Sequence, residues 1–226
     1  MKIIPITKAT ATTVCGSVTA TSKMPCPSYS LPTESCNVGY NMAKMPGSIC
    51  SKCYANKGNY ARYENNIKPA QFARLDSVWQ AMADSESAAL WVSGIVAHIG
   101  NNDYFRWHDS GDLQGLAHLE LIAAVCNATP GTMHWLPTRE YATVKAYIEK
   151  HGAMPKNLIV RLSAMYPDQP VKIPASLQNI KNITASNVHT KNAPIVGHKC
   201  KSVENNGACG DCRLCWTGDI VSYEIH

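Results

Sequence analysis

Four cysteines near the carboxyl end, Cys200, Cys209, Cys212 and Cys215, constrain this chain more than any other feature. The last three recur every third residue in CGDCRLCW, residues 209–216. A zinc site of four cysteines usually takes two C-x2-C pairs set a dozen or more residues apart. A C-x2-C-x2-C run instead wraps a larger object, of which the iron–sulfur cubane is the best known. Cys200 supplies a fourth thiol, and Gly207 and Gly210 let the backbone turn tightly between them. The expectation is a metal site that orders the tail, iron–sulfur in preference to zinc.

A second set, Cys26, Cys36, Cys50 and Cys53, is spaced C-x9-C-x13-C-x2-C. The surrounding stretch Ala9–Tyr60 is rich in Ser, Thr, Pro and Gly and has little periodicity. So long an irregular segment needs something besides apolar packing to order it, and these thiols read as a second metal site. Of the chain's 10 cysteines, Cys15 and Cys126 are left over. Cys126 continues the apolar face of Leu119, Ile122 and Ala123 and reads as core. The opening MKIIPITKATATT lacks the apolar run of a secretory signal, so a reducing cytoplasm is expected, where cysteines bind metal more often than they pair.

The formal charge of +5 counts every cysteine as a neutral thiol. Metal ligation deprotonates thiols, and two four-thiolate sites at about −2 each bring the balance to roughly +1. Charge therefore gives nucleic-acid binding little support. The longest apolar run, Ala88–Ile99, is interrupted by Ser93, Gly94 and His98 and is too short to span a bilayer.

The 226 residues read as one domain in three zones: an irregular Cys-rich segment (1–66), helices and β/α units (67–197), and a Cys-rich tail (198–226). Residues 1–6 suit a short strand. Phe72, Leu75, Val78, Trp79 and Met82 predict a helix over Pro69–Ala83, and a second follows over Ser87–Ile99. Strand and helix then alternate. Strands are expected at Tyr104–His108, Thr132–Leu136 and Asn157–Leu162, with helices at Leu113–Ala128 and Tyr141–His151 between them. Asn182–Ala185 and Ala193–Gly197 suit two further strands. The alternation predicts an α/β fold with parallel strands, a small or incomplete β/α barrel, with an open doubly wound sheet as second choice. No Gly-rich dinucleotide fingerprint or P-loop follows any strand.

Polar residues crowd the strand ends: Arg106, His108, Asp109, Ser110 and Asp112; Thr138, Arg139 and Glu140; Arg161 and Ser163; Ser186, Asn187 and His189. In β/α folds these ends share one face, where active sites are built. Asp109, Ser110 and Thr138 also suit helix caps, and Arg106 and Arg161 also suit outward strand positions. As a set they predict a pocket for a small polar substrate. Arg106, Arg139 and Arg161 would hold an anionic group, and His108 or Asp109 would handle protons. His118 and His134 lie on periodic segments and read as packing residues.

CSKCYANKGNY after upstream cysteines, RWHDSGD at a strand end and a cysteine-rich tail ending in CW, in that order, resemble the phage-encoded gene product 88 family. Its layout is distantly similar to radical S-adenosylmethionine enzymes, which place an iron–sulfur cluster at the mouth of a partial β/α barrel. That resemblance implies one or two 4Fe-4S clusters, with Cys36, Cys50 and Cys53 leaving one iron open to S-adenosylmethionine. Ser110, Gly111 and Asp112 would form the strand-end motif on the cofactor, joined by Thr138 and Arg161. It also implies a phage protein in the host cytoplasm. The spacing departs from the radical-enzyme C-x3-C-x2-C, Lys52 stands before the last cysteine, and Cys26 is available to close the open iron. The competing expectation is a non-enzymatic zinc protein contacting nucleic acid or a host protein. It would use Lys44, Lys52, Lys57, Arg62 and Arg74, interleaved with Tyr54, Tyr60 and Tyr63.

Overall fold

The computed structural model describes residues 2–21 and 23–225; of the strand expected over residues 1–6, Met1 lies outside the described residues and residues 2–6 form no strand. Eight strands form one sheet: β1 (Thr19–Ala20), β2 (Pro27–Tyr29), β3 (Tyr104–Trp107), β4 (Met133–Thr138), β5 (Leu158–Ser163), β6 (Ile183–His189), β7 (His198–Lys199) and β8 (Val221–Glu224). Their order is β1-β2-β3-β4-β5-β6-β8-β7. Among the described residues only β1 against β2 is antiparallel; the other pairings are parallel. The α-helices are α1 (Lys8–Cys15), α2 (Asn37–Ala43), α3 (Gly58–Arg62), α4 (Glu64–Ala83), α5 (Ser85–Ile99), α6 (Leu116–Ala128) and α7 (Tyr141–His151).

The parallel α/β expectation holds, but no closed barrel forms. β1 and β7, each two residues long, end the array and do not pair with each other among the described residues. β2 and β8 were not anticipated, being too short to show a period. Residues 193–197 form no strand; pairing there begins at His198.

Alternation along the strands gives the sheet two different faces. Phe105, Trp107, Leu136, Leu158, Val160 and Leu162 point toward α4–α7 and make the main core with Leu75, Trp91, Ile95, Leu119 and Ile122. Tyr104, Met133, Trp135 and Tyr223 point the other way and pack with Cys26, Cys215 and Trp216. The tail therefore covers the sheet face opposite the helices. At about 25 cal/mol per Å² of apolar area, the helix side supplies most of the apolar stabilisation.

Two helices depart from their expected patterns for identifiable reasons. α4 leaves Phe72 and Trp79 exposed and instead buries Gln71, Arg74 and Ser77 beside Leu75 and Val78. Arg74 decides this, because its Nε donates to the Ser17 carbonyl (2.6 Å) and Nη1 to Ser30 Oγ (2.8 Å), tying the N-terminal segment to the helix. α6 starts at Leu116, not Leu113, because Gly115 at φ 131° lies outside helical space.

Candidate functional site

The chain from Leu31 to Cys53 crosses the carboxyl ends of the parallel strands. It is held by three backbone amides and one side chain. The Leu31 amide donates to the Ser110 carbonyl (2.9 Å), and Asn37 Nδ2 donates to the Leu113 carbonyl (3.3 Å). The Val38 amide donates to Glu140 Oε1 (2.8 Å), and the Ile49 amide to the Met165 carbonyl (3.0 Å). These contacts carry Cys36, Cys50 and Cys53 onto the strand-end rim, within electrostatic reach of one another and of Asp112 and Arg139. A Cβ on Gly39 would stand 3.6 Å from Cys36 Sγ and 3.7 Å from Cys50 Sγ, so this glycine leaves open the place where the two sulfurs converge. Burial raises the Cys36 and Cys50 thiols; the neighbouring thiols and Asp112 push them further up, and Arg139 pulls them down.

Asp112 knits the rim together. Its Oδ1 accepts from Thr138 Oγ1 (2.6 Å) and the Leu113 amide (2.8 Å), and Oδ2 accepts from the Arg139 amide (2.9 Å). Burial raises its carboxyl group against the pull of those hydrogen bonds. Ser110 Oγ donates to the Leu31 carbonyl (2.8 Å). Gly111, at φ 79°, has no room for a Cβ, which would meet Leu31 Cβ at 2.5 Å. The expected cofactor motif of Ser110, Gly111 and Asp112 is thus occupied in joining the loops after β2, β3 and β4. One Asp112 oxygen keeps a lone pair to spare.

His108 and Asp109 go separate ways. His108 adopts a left-handed φ of 53°, which turns its ring onto the helix side, 5.2 Å from that of His118. Both of its ring nitrogens are buried without a partner, and burial, with His118 and Arg106 adding to it, holds the imidazole neutral. Asp109 Oδ2 accepts from Tyr60 (2.5 Å), its carbonyl accepts from the Tyr54 hydroxyl, and Oδ1 is buried unpaired. The same Tyr54 hydroxyl accepts from Arg106 Nη2 (3.2 Å). Arg106 lies 4.4 Å over Trp135, on the sheet face that carries the tail.

Arg161 is wholly buried on that same face. Its Nη1 donates to the carbonyls of Ala185 (2.9 Å) and Asp219 (2.6 Å); Nη2 donates to those of Leu214 (3.1 Å), Cys215 (3.4 Å) and Thr217 (3.0 Å). The expected substrate-binding arginine is therefore a scaffold for the tail.

Of the expected pocket residues, Arg106, His108, Asp109, Asp112, Thr138, Arg139 and Arg161 do not converge. Asp112, Thr138 and Arg139 share the rim, Arg106 and Arg161 lie on the tail face, and His108 lies on the helix face with Asp109 at the seam. The physical reason is strand alternation combined with the turn at His108. The contact surface expected of a nucleic-acid binder is likewise dispersed: Arg74 is buried and tied to Ser17, while the half-exposed Tyr54 and partly buried Tyr60 bond to Asp109. Gly39 and Tyr223 were not singled out beforehand as site residues, and Tyr54 and Tyr60 were expected only on a contact surface for nucleic acid or a host protein. Gly39 and Tyr223 carried no readable signal; Tyr54 and Tyr60 had one in their closeness to the Cys50–Cys53 pair.

Cys26 also departs from its expected group. It is buried with Trp135, Trp216 and Cys215, beside the tail cysteines. The N-terminal rim therefore has three thiols, not four. Among the described residues no group of three or more His, Cys, Asp or Glu side chains is placed to hold a single metal ion. No helix among the described residues is long and apolar enough to cross a membrane.

No curated protein and no solved structure matches the chain. The gene product 88 family model matches residues 6–218. With almost its whole length covered, and the expected motif order on the page, the chain belongs to the gene product 88 family.

Proposed function

We propose that this phage-type protein is an iron–sulfur enzyme of redox or radical type. Cys36, Cys50 and Cys53 would hold a 4Fe-4S cluster on the strand-end rim, and a small polar substrate would bind beside it. In this reading the open sheet is an incomplete β/α barrel working in the host cytoplasm. The observation that carries the reading is the composition of the rim. The Cys36 and Cys50 sulfurs converge on the Cβ-free face of Gly39 next to Asp112 and Arg139, with Cys53 nearby in the chain, while Cys26 is taken into the opposite face of the sheet.

The donor set suits the group. Cys36, Cys50 and Cys53 would give a 4Fe-4S cluster three protein ligands and leave one iron for an outside ligand. S-adenosylmethionine, with an amine and a carboxylate to offer, is the first candidate for it. When bound, the cluster supplies single electrons. The chain's own residues do the rest. Arg139 places positive charge beside the thiolates, and the free lone pair of Asp112 is available to a ligand amine. Tyr54, Tyr60 and Asp109 bring polar groups to the substrate side, where the unpaired Asp109 Oδ1 offers an acceptor.

The test is anaerobic purification followed by iron and acid-labile sulfide analysis. Electron paramagnetic resonance of the reduced protein would then be recorded with and without S-adenosylmethionine. A cluster signal that shifts on addition, and is lost in the Cys36→Ala variant, is expected. Zinc without sulfide would overturn the reading in favour of a zinc protein, and an unmoved cluster signal would remove S-adenosylmethionine from it.

A further inference from the structure

We infer that the two ends of the chain build a second iron–sulfur site, independent of the rim, whose four ligands are Cys26, Cys200, Cys209 and Cys215, with Cys212 left out. The spacing in the tail points to Cys212 as a ligand; the tertiary arrangement replaces it. Cys26 is buried in the small apolar cluster of Trp135 and Trp216, to which Cys215 also belongs. The Cys209 amide donates to the Lys23 carbonyl (2.9 Å), docking the tail on the segment that leads into Cys26. The Cys200 amide donates to the Ser222 carbonyl (2.8 Å), and the Cys215 sulfur lies 3.3 Å from the Tyr223 hydroxyl, so β8 places both of them.

Packing and backbone contacts gather the four: Cys26 and Cys215 share one apolar cluster, Cys209 is docked on the segment leading into Cys26, and Cys200 is held on β8 beside Tyr223. The Cys212 amide donates to the Cys209 carbonyl within its own turn (3.1 Å). Cys212 is also the one exposed cysteine of the set. The surroundings suit a negatively charged, solvent-shielded group. Arg106 and Arg161 lie within electrostatic reach, and Trp135 and Trp216 cover one side with their rings edge to face, 5.4 Å apart. Arg161 binds the Leu214, Cys215 and Thr217 carbonyls, which fixes the turn carrying Cys215. Cluster potentials respond to hydrogen bonds at sulfur and to burial, and Tyr223 supplies such a bond.

The experiment separates this site from the rim by starting from a Cys36→Ala/Cys50→Ala/Cys53→Ala chain prepared anaerobically. Iron and acid-labile sulfide are measured per chain. The background should retain one cluster, the added Cys212→Ala should keep it, and the added Cys26→Ala should lose most of the iron and sulfide while far-ultraviolet dichroism stays unchanged. Tyr223→Phe leaves every thiol in place; it should keep the cluster and lower its reduction potential. Retention in Cys26→Ala with loss in Cys212→Ala would overturn the ligand assignment, as would an unmoved potential in Tyr223→Phe for Cys215. A folded background chain without sulfide, or with zinc alone, would overturn the second cluster and leave the rim untouched.

Discussion

The two cysteine groups are ordered by opposite means. The rim group hangs on backbone hydrogen bonds to loops after β3, β4 and β5, and its neighbours are the polar Asp112 and Arg139. The tail group lies against a sheet face, with aromatic rings on one side and a buried arginine gripping five carbonyls on the other. One lies among polar side chains; the other lies against apolar rings, with Cys26 buried and Cys212 exposed. If both groups bind clusters as proposed, the rim would suit exchange with a ligand, and the four thiols over the sheet face would suit a permanent site for electron transfer or structure.

The largest effect should come from the grip on the tail. Arg161→Met removes the donors of five carbonyls at a fully buried position, so a loss of about 3–5 kcal/mol and rapid proteolysis after residue 197 are expected. Urea denaturation with limited proteolysis reads both, and a resistant tail would erase the contrast. The next effect belongs to neither group. Burial pushes His118 and His134 down to about 3. In the unfolded chain both bind protons below about 6.5. Stability is therefore fully present above that value and is lost as pH falls toward 3, about 2 kcal/mol per histidine at pH 5. His134 shows why: Nδ1 accepts from Trp107 Nε1 (3.2 Å) and cannot take a proton without breaking that bond. Unchanged denaturation midpoints at pH 7 and pH 5 would refute it.

On the rim, Asp112→Asn puts an amide where a carboxylate accepts three hydrogen bonds, and about 2 kcal/mol should be lost. The rim thiols should then lose metal before the tail thiols do; equal loss would mean the two sites are coupled. The smallest stability effect is expected at Gly39, inside α2. Gly39→Ala should raise helix stability by a few tenths to about 1 kcal/mol. Its Cβ would crowd Cys36 Cβ at 3.0 Å and fill the gap between the sulfurs, so iron retention should fall while the melting temperature does not. A variant with full iron would show that the gap is not used.

What the sequence alone determined were the properties written in local periods. The parallel β/α alternation, the helix faces of α5, α6 and α7, the core placement of Cys126, His118 and His134, and the existence of two cysteine-rich zones all rest on neighbours within a few positions. Tertiary structure decided the partnerships. Cys26 lies ten residues before Cys36 in sequence yet joins cysteines from the far end of the chain, because β2 runs beside β3 and carries the preceding segment onto the tail face. Arg106 and His108 stand two positions apart but part company, because a left-handed φ at His108 breaks the strand's alternation. Arg161 looked like a ligand-binding residue until the carbonyls of residues 214–219 arrived around it. Spacing specifies which residues can be neighbours along a helix or strand; which loops meet over a sheet depends on the order in which its strands pair, and no local pattern encodes that.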